Sequence, residues 1–218
     1  MSNFPRVGVI GSGQLAQMML APAAALGIDL ITLANNSKDS AALSSPHVVG
    51  DYKDLATVRE FAKQCDLVTF EHELIPISII RTLEFEGFKF APSASAFQYS
   101  QDKALMRGKL AKLSNPRWQV VTEVVDWQYP AIAKAISGGY DGRGVWKLES
   151  KTDLEKLLKE VPKLILEELI DFDFEIAVMV ARSPHGQAAT WGLKAWPTSP
   201  ALTLYLGNIE KRLQKVQI

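Results

Sequence analysis

The stretch AKAISGGYDGRGVW, Ala133 to Trp146, places four glycines (Gly138, Gly139, Gly142 and Gly144) between two strand-like runs. A hairpin crest this rich in glycine can turn successive backbone N–H groups toward phosphate oxygens and close over them. Lys134, on the run leading into the crest, could bring a compact ammonium to the same phosphates. The plainer reading is a hairpin loop beside a surface lysine. A second glycine turn, GSGQLA, covers Gly11, Ser12, Gly13, Gln14, Leu15 and Ala16; it follows an apolar run and opens a helical pattern. There the first N–H groups of a helix could face an anion, or the glycines could simply turn the chain.

Acidic residues supply the complementary chemistry. FEHELIP sets Glu71 and Glu73 just past a strand, where open α/β sheets bind ligands; the alternative is an acid favoured by a helix macrodipole. LILEELIDFDFEI places Glu167, Glu168 and Glu175 on an extended segment, whose backbone could read an adenine edge while a carboxylate takes ribose hydroxyls. Solvated acids on an edge strand are the bland reading. A dinucleotide site needs an acid at the end of the second strand, and Asn35 and Asn36 stand there instead, which disfavours NAD. His47, His72 and His185 are too scattered for a metal cluster, and no Ser-His-Asp arrangement emerges from the spacing.

These residues need a scaffold. RVGVI, IDLITLA and DLVTFE read as buried parallel strands, alternating with helices over QLAQMMLAPAAALG, DLATVREFAKQC and PISIIRTLEFEG. SQDKALMRGKLAKLS reads as one amphipathic helix, and QVVTEVV as an extended segment. YPAIAKAI and GVWKLE flank the crest as a hairpin, SKTDLEKLLKEV is a helix with a Ser or Thr cap, and KLILEELI and DFEIAVMVARSPHG are strands. After KAWPTSP, which favours a turn, the chain closes on a short basic amphipathic stretch.

The composition is that of an ordinary soluble globular protein, 47% hydrophobic and 22% charged, and 218 residues allow one or two domains. Lys plus Arg balances Asp plus Glu at 24 each, so no global charge steers the chain to nucleic acid or to an anionic membrane. The single cysteine, Cys65, fits a reducing compartment and reads as a half-buried packing residue. With no membrane-spanning or signal-like stretch, a cytoplasmic location is expected.

Taken in order, GSGQLAQMM, GDYKDLATVREFAKQCDLVTFEHELIP, SQDKALMR, KAISGGYDGRGVW and EELIDFDFEIAVMVARSPHG resemble N5-carboxyaminoimidazole ribonucleotide synthetase, the ATP-grasp ligase of purine biosynthesis. The likeness runs from about Val7 to about Leu193. It implies an α/β fold: a pre-ATP-grasp βαβ parallel-sheet domain over residues 1–92, a partial ATP-grasp α+β domain over 93–196, and a divergent tail over 197–218. It also implies that ATP activates bicarbonate as carboxyphosphate, which then carboxylates the amine of 5-aminoimidazole ribonucleotide.

Carried over residue by residue, Lys103 stands where the family has a basic nucleotide contact, usually Arg. Lys134 matches its ATP-phosphate lysine, and Gly139, Tyr140, Asp141, Gly142, Arg143, Gly144 and Val145 match its lid. Glu167, Glu168, Leu169 and Ile170 match the adenine-reading strand, and Glu175 the ribose acid. Gly11, Gly13, Gln14, Leu15, Glu71 and Glu73 fall where the family holds the ribonucleotide. Ser137 replaces a basic residue common before the lid. The family's Mg²⁺ is expected, but the Glu and Asn-Glu pair that hold it have no counterpart here; Asn208 and Glu210 have the wrong spacing. Phosphoryl transfer depends on that metal, so impaired turnover is expected. The alternative is a non-catalytic nucleotide-binding remnant or subunit. A homodimer is the assembly the resemblance implies.

Overall fold

The computed structural model describes residues 4–138, 143–172, 174–183 and 185–197. The chain divides into two compact units, Met1–Glu168 and Leu169–Ile218.

The first unit opens with β1 (Arg6–Ile10), α1 (Gln14–Ala25), β2 (Asp29–Ala34), β3 (His47–Val49), α2 (Leu55–Ala62), β4 (Leu67–Phe70) and α3 (Ile77–Phe85). The strands form one parallel sheet in the order β3-β2-β1-β4. Strand order reverses between β1 and β4, the switch point at whose carboxyl ends open α/β sheets form a binding crevice, and Gly11 and Glu71 stand there. Three-residue β3 is too short for periodicity to mark it.

The sheet packs its apolar side chains into a core that includes Ile10, Leu33, Val58, Phe61, Ile75, Ile80 and Leu83. Burying each such side chain contributes roughly 1.5–3 kcal/mol. Gly8 lets β1 pass against α2, because a Cβ there would lie 2.5 Å from Cys65 Sγ and 2.8 Å from the Phe61 ring.

The same unit continues through α4 (Ala94–Gln101), α5 (Lys103–Lys109), β5 (Trp118–Val121), β6 (Ala131–Ala135), β7 (Val145–Leu148), α6 (Lys151–Glu160) and β8 (Leu164–Glu168). These strands make an antiparallel sheet in the order β5-β8-β6-β7. Leu164 and Leu166 of β8 face α6 and pack with its Leu154 and Leu157. The Ser150 side chain caps α6, accepting from Asp153 N–H, while Asp153 accepts from Glu149 N–H at 3.1 Å.

SQDKALMRGKLAKLS is not one helix. Asp102 adopts an extended backbone (φ −125°, ψ 107°) and its carboxylate accepts from Leu105 N–H at 2.8 Å, ending α4 and capping α5. A capping aspartate outcompetes helical continuity here. QVVTEVV is likewise extended only to Val121 within β5.

In the second unit, β9 (Phe174–Arg182) and β10 (Ala188–Pro197) form an antiparallel hairpin with a register shift between Trp191 and Lys194. Its turn is tied by Ser183 N–H to the Gln187 carbonyl at 2.8 Å. Strand β10 runs through the AWP that sequence alone reads as the start of a turn. Ile176, Val178, Met179, Val180 and Trp191 stand exposed on this hairpin. The tail after Pro197, with its basic amphipathic pattern and Asn208 and Glu210, lies outside the described residues. Among the described residues no helix is long and apolar enough to cross a membrane.

Candidate functional site

At the crevice of the parallel sheet, Glu71 follows β4 directly, and its N–H continues the sheet pattern onto the Ile10 carbonyl at 2.9 Å. Its side chain crosses to the first turn of α1. Gly13 N–H donates to Oε2 at 2.6 Å and Leu15 N–H to Oε1 at 3.1 Å. The helix N-terminus that could have met an outside anion therefore holds the chain's own carboxylate. Gly11 is required, with φ +105° and a Cβ that would lie 2.6 Å from Glu71 Oε2, while a Cβ on Gly13 would lie 2.6 Å from Oε1, at the end of a side chain that can shift.

Behind this turn the buried hydroxyls of Ser12 and Thr32 are 2.9 Å apart. Gln14 and Leu15 are exposed on the first turn of α1. Glu73 enters through its backbone, its carbonyl accepting from Gln101 Nε2 at 2.6 Å. Beside Glu71, the His72 ring lies 4.9 Å from the Tyr52 ring. Tyr52 also lines a cavity of about 370 Å³ with Asn35, Gly50, Asp51 and Lys53.

The second cluster lies on the antiparallel sheet. Strand alternation puts Ile165 and Glu167 on the face opposite α6. Register pairs Lys134 with Ile165 and Ile132 with Glu167, so Lys134 and Glu167 are diagonal neighbours on one face. Lys134 Nζ donates to Glu167 Oε2 at 2.7 Å. From α5, Arg107 Nε donates to Oε1 at 2.7 Å and Nη2 to Oε2 at 3.0 Å.

The Glu167 side chain is 4% exposed, against 16% for Arg107 and 26% for Lys134. Burial pushes the Glu167 carboxyl up, but the hydrogen bonds and charges of Arg107 and Lys134 outweigh it and hold the group below the usual glutamate range. One carboxylate between two cations leaves the cluster with surplus positive charge, chemistry that suits an anion.

The crest rises from this cluster. β6 and β7 pair antiparallel, Ala135 N–H donates to the Gly144 carbonyl at 2.8 Å, and Gly138 and Gly144 take φ of +75° and +74°. Val145 begins β7, with Arg143 exposed just before it. Gly139, Tyr140, Asp141 and Gly142 lie outside the described residues. Lys103 opens α5, and its N–H donates to the Ile136 carbonyl at 3.0 Å, tying that helix to the foot of the crest.

Glu168 ends β8 with its N–H on the Arg117 carbonyl at 2.9 Å. Leu169 and Ile170 are exposed in the second unit, and Glu175 lies on β9, where only its backbone is described. Sequence reasoning passed over Arg107 and Asn115. Arg107 lies four residues after Lys103, one helical turn along the same face, and that spacing was the available signal.

The comparisons with known proteins agree with this fold. Residues 4–101 match the ribonucleotide synthetase preATP-grasp domain, and residues 107–196 match the ATP-grasp domain. The chain therefore belongs to the ATP-grasp ribonucleotide synthetases. Within that class it is a homologue of N5-carboxyaminoimidazole ribonucleotide synthase. The curated enzyme of that name from Mycobacterium tuberculosis is 36% identical over 201 residues, covering 86% of this chain and 47% of the relative. The solved synthase of Aspergillus clavatus complexed with ATP superposes with a TM-score of 0.77 at 28% identity, covering 89% of this chain and 55% of that one. The same enzyme in complex with ADP and 5-aminoimidazole ribonucleotide gives 0.73 at 25% identity, covering 92% and 56%. The chain thus spans about half the length of the relatives it matches.

Proposed function

We propose that this chain binds ATP on the antiparallel sheet and 5-aminoimidazole ribonucleotide at the Gly11–Glu71 crevice, as part of the ATP-dependent carboxylation of that ribonucleotide by bicarbonate. The observation that carries the reading is the surplus positive charge of Arg107, Glu167 and Lys134 at the foot of a glycine crest. Lys134 and the crest from Gly139 to Val145 take the phosphates, with Lys103 as a further basic contact. Glu167, Glu168, Leu169 and Ile170 take the adenine and Glu175 the ribose. Because Glu71 presents an acceptor held by two N–H groups, the crevice suits a hydroxyl or amine of the ribonucleotide better than its phosphate.

We set the domain boundary at residues 92 and 93 and the tail from residue 197, and place the protein in the cytoplasm, where Cys65 stays reduced. Among the described residues no group of three or more His, Cys, Asp or Glu is placed to hold a metal ion by itself; the Mg²⁺ that the family implies would rest mainly on the phosphates of ATP, with one or two carboxylates beside them.

Calorimetric titration of the chain with ATP, and phosphate release with 5-aminoimidazole ribonucleotide and bicarbonate, test the reading. Saturable ATP binding that Lys134→Ala weakens at least tenfold is expected, roughly the loss of one charge-assisted contact, with little phosphate release. Equal binding by both proteins would overturn it. A second reading, a nucleotide-binding subunit that works with another chain, is favoured by the exposed apolar side chains of β9 and β10. A homodimer is one such assembly, and sedimentation at several concentrations distinguishes it from a monomer.

A further inference from the structure

We infer that Arg107 is a positioning residue for the nucleotide phosphates: by gripping both oxygens of Glu167, it turns that carboxylate to hold the Lys134 ammonium where the phosphates bind. The inference rests on the reading of Lys134 given above.

The geometry runs in one direction, from the end of α5 to the ammonium. Asn115 is clamped by donating to the Leu110 carbonyl at 2.7 Å and the Leu113 carbonyl at 2.9 Å. Its Oδ1 accepts from Arg107 Nη1 at 3.0 Å, which fixes the plane of the guanidinium. The guanidinium then meets the carboxylate as a two-pronged fork, at 2.7 and 3.0 Å, fixing the carboxylate plane in turn. Lys134, on a flexible four-carbon stem, receives its position from Oε2 at 2.7 Å.

The division of labour follows from the donors. Arg107 directs Nε, Nη1 and Nη2 into the fold and is mostly buried, so it serves as framework. Lys134 is the more exposed cation and uses one of its three donors on Glu167. With Arg107 in place, Glu167 is shared and Lys134 keeps surplus charge for an incoming anion. Without Arg107, the carboxylate is free to turn and pairs wholly with Lys134, and the surplus is gone.

The test is a double-mutant cycle on the 218-residue chain, with Arg107→Met and Lys134→Met singly and together, titrated with ATP and with adenosine, which lacks phosphates. Arg107→Met is expected to weaken ATP about tenfold, the scale of a lost charge-assisted fork, and adenosine less than about twofold. In the Lys134→Met background the same substitution is expected to change ATP affinity less than about twofold, because the two residues act in series. Arg107→Lys keeps the charge but not the fork; it is expected to weaken ATP several-fold, and it carries the cycle if the methionine variant fails to fold.

Equal losses in both backgrounds, a parallel loss for adenosine, or wild-type ATP binding by Arg107→Lys would each overturn the inference while leaving the Lys134 reading intact. Wild-type ATP binding by Lys134→Met would overturn that reading and the inference with it.

Discussion

Glu71 fills the glycine turn opposite it, with Oε2 2.6 Å from the N–H of Gly13. The two residues lie 58 positions apart and meet because β1 and β4 are parallel neighbours whose carboxyl ends adjoin. Space at the turn and orientation of the carboxylate are therefore one property. Gly11→Ala combines strain at φ +105° with a Cβ 2.6 Å from Glu71 Oε2, whereas Gly13→Ala meets only the side chain. Gly11→Ala should destabilise the protein by about 1–3 kcal/mol and Gly13→Ala by less, as read by urea unfolding. Adding Glu71→Ala should relieve most of the Gly13→Ala loss; a loss that stays unchanged in the double variant would refute the contact as its cause.

Glu167 makes the antiparallel sheet acid-sensitive in a defined direction. Its folded pKa is depressed, so its charged pairs contribute stability above the ordinary glutamate value of 4.5, and that contribution is lost as pH falls through the lower folded value. Wild type should be more stable than Glu167→Gln at neutral pH, and the gap should close as pH drops below about 4.5. Denaturation at stepped pH measures the gap; one that is constant from pH 7 to 3 would contradict the assignment.

Asp102 both ends α4 and starts α5, so its loss should be felt beyond its own cap. Asp102→Ala is expected to cost about 1 kcal/mol, the usual worth of an N-cap. It should also raise amide exchange at Lys103, whose N–H reaches the Ile136 carbonyl. Unchanged exchange at Lys103 would show that the cap does not position α5.

Cys65 should be chemically quiet. Burial pushes its thiol up to about 11, and the Sγ lies 3.4 Å from the Phe61 carbonyl. At pH 8 only about one part in a thousand is thiolate, so alkylation by iodoacetamide should be far slower than for a free thiol. Gly8→Ala, whose Cβ would meet the Sγ at 2.5 Å, should expose the sulfur and speed the reaction. Free-thiol rates in the unsubstituted protein would argue against the packing described.

Much of the fold was legible from residues that act locally. RVGVI stops at Gly11 and forms the central parallel strand, Ser150 caps α6, and the glycine crest joins two paired strands. These features depend on backbone preference and nearby hydrogen bonds, which a linear pattern records. SQDKALMRGKLAKLS misled because its apolar spacing stays helical across Asp102, while the capping bond to Leu105 N–H breaks it. The AWP of β10 misled because pairing with β9 accommodates Pro197 at a strand end.

The candidate site divides in the same way. By itself the sequence determined which groups were available: the glycine turns, Lys134, and the acids at 71 and 167. Tertiary structure alone decided their partners, joining Glu71 to Gly13 across 58 positions and Arg107 to Glu167 across 60. The physical reason is that a carboxylate's role depends on the charge and donors within a few ångströms, and sheet register sets those neighbours.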